Sequence, residues 1–550
     1  MTRSRLTSSL LGLAVAVALA ASVIVGMAAS RGDLFEIRKN LRIFGAVYEE
    51  VVTGYVDRVD PGRLMQVGME AMLSELDPYT TFLGEAENAR IDIITEGQYG
   101  GVGLEVGRRN GRITVVSPVV GANGYEQGVR TGDVITRVAG QAATELSVED
   151  VETLLRGEPG TTVRLTVRRA GASAPRSLTL TREQVELPAV TYQGRVGASD
   201  QFGYVKLERF TREAPASVER ALRTLRETAA LRGVVLDLRD NPGGLLRAAV
   251  GVSELFVPRG AVVVSTRGRQ DSVRSAYRSD RAPLLPDAPV VVLVNGQSAS
   301  ASEIVAGALQ DLDRGVVLGT TTYGKGLVQN VRSLPHNTAL KLTTAQYYTP
   351  SGRTIQSLAP ARPKDEAGVK SRTHETKAGR TVRDGNGIRP DVRVPAPAPS
   401  PLEEALARQS VFFRYANHYV ATHDTLAAEF SVADVDVGAF RDWLGQKGLQ
   451  YPTGAERMLD SLRAQMMEGD RAQAAAEALA QALRAAKDAA FERHAAALKR
   501  RLARELLARY VPARQQTAVL LPADTQATAA TDLLQNTGRY NRLLRPTAGP

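Results

Sequence analysis

The sequence predicts a mixed, multidomain chain: an α/β core with a covered sheet, a β-rich module inserted before it, helices at the N-terminus and a helical C-terminal region. Three observations carry that prediction. The 550 residues suffice for several domains at roughly 150 residues each. Apolar residues make up 43% and charged residues 23%, ordinary globular usage that excludes a wholly disordered, collagenous or polytopic membrane chain. The apolar pattern changes along the chain from helical spacing to short β-branched runs, then to long apolar strands alternating with helices, then back to helix.

The first element is an address. Arg3 and Arg5 precede an uncharged run at 6–30, the basic and apolar regions of an export signal. Its stretch 10–29, about 20 residues, is also long enough to span a bilayer, so a cleaved signal at 1–30 and a retained inner-membrane anchor both stay open. Either way the chain after Arg31 is expected outside the cytoplasm, in a bacterial periplasm or cell envelope. Residues 31–96 read as an N-terminal helical region. Leu34, Ile37, Leu41, Phe44, Val47, Tyr48, Val51 and Val52 fall at helical spacing, and a second helix is expected at 61–76, opened by Pro61.

Residues 97–175 read as the β-rich module. Strands are expected at 102–106, 112–116, 133–138 and 162–168, with a helix at 147–155, and the Ala, Gly and Ser-rich stretch 170–176 is expected to leave it as a turn or short linker. Residues 176–394 form the α/β unit. Apolar runs at 204–207, 234–238, 290–294 and 316–318 alternate with helical stretches at 214–230 and 301–309, the texture of a sheet covered on both faces. Within it, 364–383 reads as a solvated loop. The PAPAPSP run at 395–401 is an extended linker. Residues 402–550 are expected to be helical, with Leu479, Leu483, Ala486, Phe491, Ala495, Leu498, Leu502 and Leu506 on one apolar face. Dimerisation, tethering of adaptors and packing on the core are all open roles for that region.

Composition narrows the chemistry. The 69 basic and 59 acidic residues leave a net charge of +10, which is modest over several domains and does not mark a nucleic-acid binder. No Cys is present, so disulfides, thiol catalysis and Cys-ligated metals are excluded. The five His include no HExxH or HxH pair, so metal-dependent hydrolysis has little support. A strand, a small-residue loop and a helix run through 290–305, which would expose a serine hydroxyl at a positive helix end beside free N–H groups. Ser300 with Glu303 is equally a capping box, and Ser298 or Ser302 would cap as well. Lys325 lies between Gly324 and Gly326 in a chain with only ten Lys. Burial lowers a lysine's affinity for its proton and makes it a usable base, which Arg cannot become. An ordinary glycine-turn lysine is the plain alternative.

At several places at once the sequence resembles the carboxyl-terminal processing proteases, a family of tail-specific serine peptidases. The runs are LDPYTTFL at 76–83, YGGVGLEV at 99–106, LDLRDNPGG at 236–244, SASASE at 298–303, YGKGLVQ at 323–329 and YYTPSGRTIQ at 347–356. The resemblance implies that Ser300 is the nucleophile and Lys325 its base, that Gln329, one helical turn later, holds the Lys amine, and that N–H groups of Ala301 and of Gly243 or Gly244 form the oxyanion hole. It also implies that 97–175 is a PDZ domain whose Gly101, Val102, Gly103 and Leu104 receive a peptide C-terminus, inserted before a serine protease core at 176–394. The expected partners are proteins or peptides with free apolar C-termini. An activating lipoprotein adaptor and a homo-oligomer through the C-terminal helices are further open expectations, and no cofactor is called for. The rival reading is an inactive PDZ scaffold on a degenerate core, which the intact Ser300 and Lys325 oppose.

Overall fold

The computed structural model describes residues 34–269, 274–356, 372–465 and 470–546. The expected signal or anchor at 1–30 lies outside them, as does the expected loop at 364–383 up to residue 371. The rest of that stretch is a small hairpin, Thr373–Glu375 with Thr381–Arg383. Among the described residues no helix is long and apolar enough to cross a membrane.

Residues up to Phe82 form one unit and Leu83 onward another. In the first, a helix at 34–54 precedes Pro61–Ser74. Asp60 caps the second helix by accepting the Arg63 N–H, and Pro61 occupies its first turn. The Tyr48 hydroxyl donates to the Pro61 carbonyl at 2.8 Å, fixing the corner between the two helices.

The second unit is built on a six-stranded sheet in the order Val190–Val196, Phe202–Leu207, Gly233–Asp237, Val290–Val294, Val316–Gly319, Val392–Arg393. Its first pair is antiparallel and the others are parallel. Side chains alternate between its faces. Leu207, Leu236, Val292 and Val317 pack with the helices Ala214–Thr228, Leu246–Ser253 and Ala301–Asp311. Tyr204, Val235, Val291 and Leu318 pack on the other face against Thr525–Gln535 and Thr537–Leu543. The sheet is therefore covered on both faces as the apolar strands predict, and the second cover comes from the C-terminal helices. Val262–Gly268, Ser275–Arg278, Leu327–Ser333 and Ala339–Tyr348, interleaved with its strands along the sequence, pair antiparallel in a second sheet.

The inserted module is a sheet in the order Leu104–Arg109, Arg112–Pro118, Val134–Val138, Thr162–Arg168, Arg176–Thr181, with the helix Val148–Leu155 capped by Ser147. Its end differs from the expectation. The stretch 170–175 is a hairpin turn inside the module, since Thr162–Arg168 and Arg176–Thr181 pair antiparallel. An Ala, Gly and Ser-rich turn joins two strands as readily as it joins two domains. The module is entered and left through a ribbon in which Gln98–Gly101 pairs with Glu183–Glu186. The PAPAPSP stretch has no regular structure up to Ser400, which caps the helix Pro401–Arg408. The C-terminal helices then share their own aromatic core, in which Phe412 stacks on Phe440.

Candidate active site

The strand Val290–Val294 gives way to a tight loop and then to Ala301–Asp311, because small residues fill 298–302 and Glu303 secures the helix start. Ser300 caps that helix at φ 54° and ψ −110°, a conformation that side-chain-bearing residues avoid. Such strain persists only where surrounding bonds over-determine it, and they do so here. The Ser300 N–H donates to Glu303 Oε2 at 2.8 Å. Its carbonyl accepts the N–H groups of Glu303 and Ile304 at 2.9 and 3.0 Å. On either side, the Asn241 carbonyl accepts the Ala299 N–H at 3.1 Å and the Ser302 hydroxyl at 2.9 Å.

Glu303 does more than cap. Its buried carboxylate also accepts the Thr322 hydroxyl at 2.6 Å, the Gly324 N–H at 2.7 Å and the Lys325 N–H at 2.9 Å. Burial raises its pKa above the ordinary glutamate value, against the pull of these donors toward the charged form. The Tyr347 hydroxyl adds a second stitch by donating to the carbonyls of Ser300 and Lys325. The Lys325 loop is pinned from its far side as well, where the Gly326 N–H donates to Gln356 Oε1 at 2.8 Å. A Cβ at Gly326 would stand 2.8 Å from the Gln356 backbone nitrogen, so the loop needs glycine there. The structure thus brings the Ser300 and Lys325 backbones onto one carboxylate and one phenol.

One expectation changes in detail. Gln329 is not one helical turn beyond Lys325: it lies on the strand Leu327–Ser333, and its amide donates to the Thr343 hydroxyl at 3.3 Å. Lys325 itself is in irregular chain, because the glycines and the Glu303 and Gln356 contacts hold the loop extended. The Gly243 N–H is engaged by Asn241 Oδ1 at 2.9 Å, an Asx turn that shapes the loop. Gly243 nonetheless abuts the serine: at its φ of 103° a Cβ would lie 2.7 Å from the Ala299 carbonyl and 3.0 Å from Ser300 Cβ. Among the described residues the Gly244 and Ala301 N–H groups donate to no protein acceptor. No cluster of three His, Asp or Glu among the described residues is placed to hold a metal ion.

The module carries a second candidate site. Gly101 ends the ribbon strand, Val102 is buried, Gly103 has a φ of 72°, and Leu104 opens the strand Leu104–Arg109. That strand is an edge, with the helix Val148–Leu155 packed alongside it. A cavity of about 260 Å³ between them is lined by Gly103, Leu104, Leu155 and Arg156, and also by Arg209 from the core.

Sequence reasoning assigned no chemistry to Tyr347, Gln356, Asn241 or Thr322, although all but Thr322 lie inside the quoted motifs. It gave Glu303 only the role of a capping partner.

A serine on a strained turn at a helix start, beside an α/β sheet covered on both faces and with a strand-and-helix groove inserted upstream, fits the class of serine peptidases that bear a PDZ domain. Residues 201–363 match the family model described as Peptidase family S41, residues 114–169 match a PDZ domain, and residues 402–534 match a probable PDZ-protease C-terminal helical domain. The chain is 39% identical over 324 residues to the carboxy-terminal-processing protease of Bartonella bacilliformis, covering 58% of this chain and 73% of that one. It is 36% identical over 296 residues to the carboxyl-terminal-processing protease of Synechocystis, covering 53% and 68%. Among solved structures, the photosystem II D1 C-terminal processing protease aligns at 32% identity over 63% of this chain and 85% of that one, with a TM-score of 0.36. The chain belongs to the carboxyl-terminal processing protease family.

Proposed function

We propose that the protein is an exported serine endopeptidase that binds free apolar C-termini through its PDZ domain and cleaves the chain upstream with a Ser300 and Lys325 dyad. The observation that carries this reading is the shared anchoring of the two loops. Glu303 accepts from Ser300, Gly324 and Lys325, and Tyr347 donates to the carbonyls of Ser300 and Lys325. In the reaction the neutral Lys325 amine takes the proton of the Ser300 hydroxyl as its oxygen attacks the scissile carbonyl. The tetrahedral oxyanion is received by the Ala301 N–H and by the 243–244 loop, where Gly244 is favoured because the Gly243 N–H is engaged by Asn241. The protonated amine then serves the leaving nitrogen, and water hydrolyses the acyl-enzyme.

In the module, the position of Leu104–Arg109 at the edge of its sheet among the described residues supports addition of the tail as a further strand, with its carboxylate at the 101–104 loop. The basic, then apolar segment 1–30 supports export, leaving 10–29 either cleaved or retained as an anchor.

The test is incubation with a disordered reporter ending in an apolar residue, read by mass spectrometry. The wild type is expected to cut it, and Ser300→Ala and Lys325→Arg to leave it whole, since guanidinium stays protonated. Near-normal turnover by Lys325→Arg would overturn the neutral-amine mechanism. A reporter left whole by the wild type would return the protein to the scaffold reading, and cutting by Ser300→Ala would refute the nucleophile assignment.

A further inference from the structure

A buried polar cluster beyond the site joins the protease core to the C-terminal helices. At the end of the strand Gly233–Asp237, the Asp237 carboxylate accepts the Arg239 backbone N–H at 3.0 Å, its Nε at 2.9 Å and its Nη2 at 2.8 Å. The Tyr204 hydroxyl donates to the same carboxylate. Burial works against the charged form of Asp237, but the charge and hydrogen bonds of Arg239 outweigh it and hold the carboxyl below its ordinary value. The remaining Arg239 nitrogen, Nη1, reaches the other way, to Asp524 Oδ1 at 3.0 Å, Asp524 Oδ2 at 2.8 Å and Gln526 Oε1 at 2.9 Å. Asp524 is the cap of Thr525–Gln535, accepting the Gln526 and Ala527 N–H groups, and Gln526 also donates to the Val394 carbonyl at 2.6 Å.

The chain that follows Arg239 is the site. Asp240, at φ 62°, exchanges two hydrogen bonds with Asn295, at 3.1 and 2.9 Å. The Leu238 carbonyl accepts the Ser298 hydroxyl at 2.8 Å. With the Asn241 contacts already described, residues 238–241 are stitched to 295–302 on both sides of Ser300, and Gly243 rests against Ser300 itself. A shift of the Arg239 backbone therefore has no slack in which to dissipate before it reaches the nucleophile.

We propose that Asp524 is a positioning residue for the peptidase site: through Arg239 it holds the 238–244 loop in register with Ser300, so that the C-terminal helices set the geometry of the oxyanion site. This rests on the reading of Ser300 as nucleophile. Asp524→Asn tests it, because Asn caps a helix as well as Asp does but places an amide donor where Oδ2 stands 2.8 Å from Nη1. Asp524→Ser also keeps the cap and removes the ion pair without that clash. Both variants are expected to lose roughly tenfold in kcat, since small misplacements at a reacting centre are costly, with KM for a tailed reporter unchanged and with a fall in melting temperature, from the lost ion pair, that leaves the chain folded at the assay temperature. Affinity for a peptide boronate, whose tetrahedral adduct resembles the transition state, is expected to fall by the same factor. An unchanged kcat, a kcat loss with full boronate affinity, or a loss that merely tracks the melting temperature would overturn the proposal. Ser300→Ala is run alongside: cleavage by that variant would refute the nucleophile assignment, a result no Asp524 outcome can imitate.

Discussion

Glu303 sets one pH response that Lys325 does not. Its carboxylate must be charged to accept all four donors, three N–H groups and the Thr322 hydroxyl, yet burial favours its proton. A carboxyl whose folded pKa is raised stabilises the fold fully below its unfolded value, and that contribution is lost as pH rises through the folded value. Between the ordinary value of 4.5 and that raised value, stability and activity are therefore expected to move in opposite directions. Urea unfolding of the wild type against Glu303→Gln should show the wild type's relative stability declining as pH rises through this window. Turnover relative to the same variant should climb. A relative stability that rises with pH there would contradict the assignment. Glu303 was legible in the sequence as a capping partner because that role spans three residues of one helix. Its other contacts come from 322–325, and only the folded chain brings them to the carboxylate. Tyr347 and Gln356 act through bonds to backbone groups, which leave no side-chain pattern to read.

The module's attachment is where elements decide function. Its entry and exit strands, Gln98–Gly101 and Glu183–Glu186, pair with each other, and the Leu187 N–H closes the ribbon on the Gly97 carbonyl at 2.7 Å. A paired ribbon restricts the module more than two separate linkers would. Its groove is also not its own: Arg209 lines it from the core, where it lies 3.9 Å from the Glu208 carboxylate. A free C-terminal carboxylate in the groove would gain from that guanidinium. Arg209→Ala is therefore expected to raise KM severalfold for a reporter with a free C-terminus, and to leave an amidated reporter unchanged. A matching rise for both reporters would place Arg209 in the fold and not in tail recognition. The strands of this module were legible from β-branched runs between glycines. Its last strand was not, because a turn rich in small residues carries the same signal inside a domain as at its edge.

At the scale of the whole second unit, near-continuous apolar strands announce a sheet buried on both faces but cannot say which segment buries each. One cover follows the strands directly in sequence, as the helices Ala214–Thr228, Leu246–Ser253 and Ala301–Asp311. The other arrives only with Thr525–Gln535 and Thr537–Leu543, where Ala527, Ala530, Leu533, Leu534 and Tyr540 close over Phe202, Tyr204, Val235, Val291, Leu293, Val316 and Leu318. The Tyr540 hydroxyl even bonds the Val290 backbone, donating to its carbonyl at 3.1 Å and accepting its N–H at 2.9 Å. A chain ending at residue 511 keeps Ser300, Lys325 and the aromatic core of the helical region but loses this cover. It would expose a contiguous apolar patch on the order of several hundred Å², larger than soluble monomers ordinarily tolerate. Such a chain is expected to bind a hydrophobic dye, to aggregate on purification and to cleave no reporter. Leu534→Ala should reproduce the effect in miniature: cavity formation at this 4% exposed residue should cost about 2–4 kcal/mol of stability while the folded fraction keeps its kcat. Asp524→Asn is expected to lose kcat in the folded chain, where Leu534→Ala keeps it, so the cover and the clamp are separable. A soluble, active chain ending at 511 would show that the second face of the sheet needs no help from the C-terminal helices.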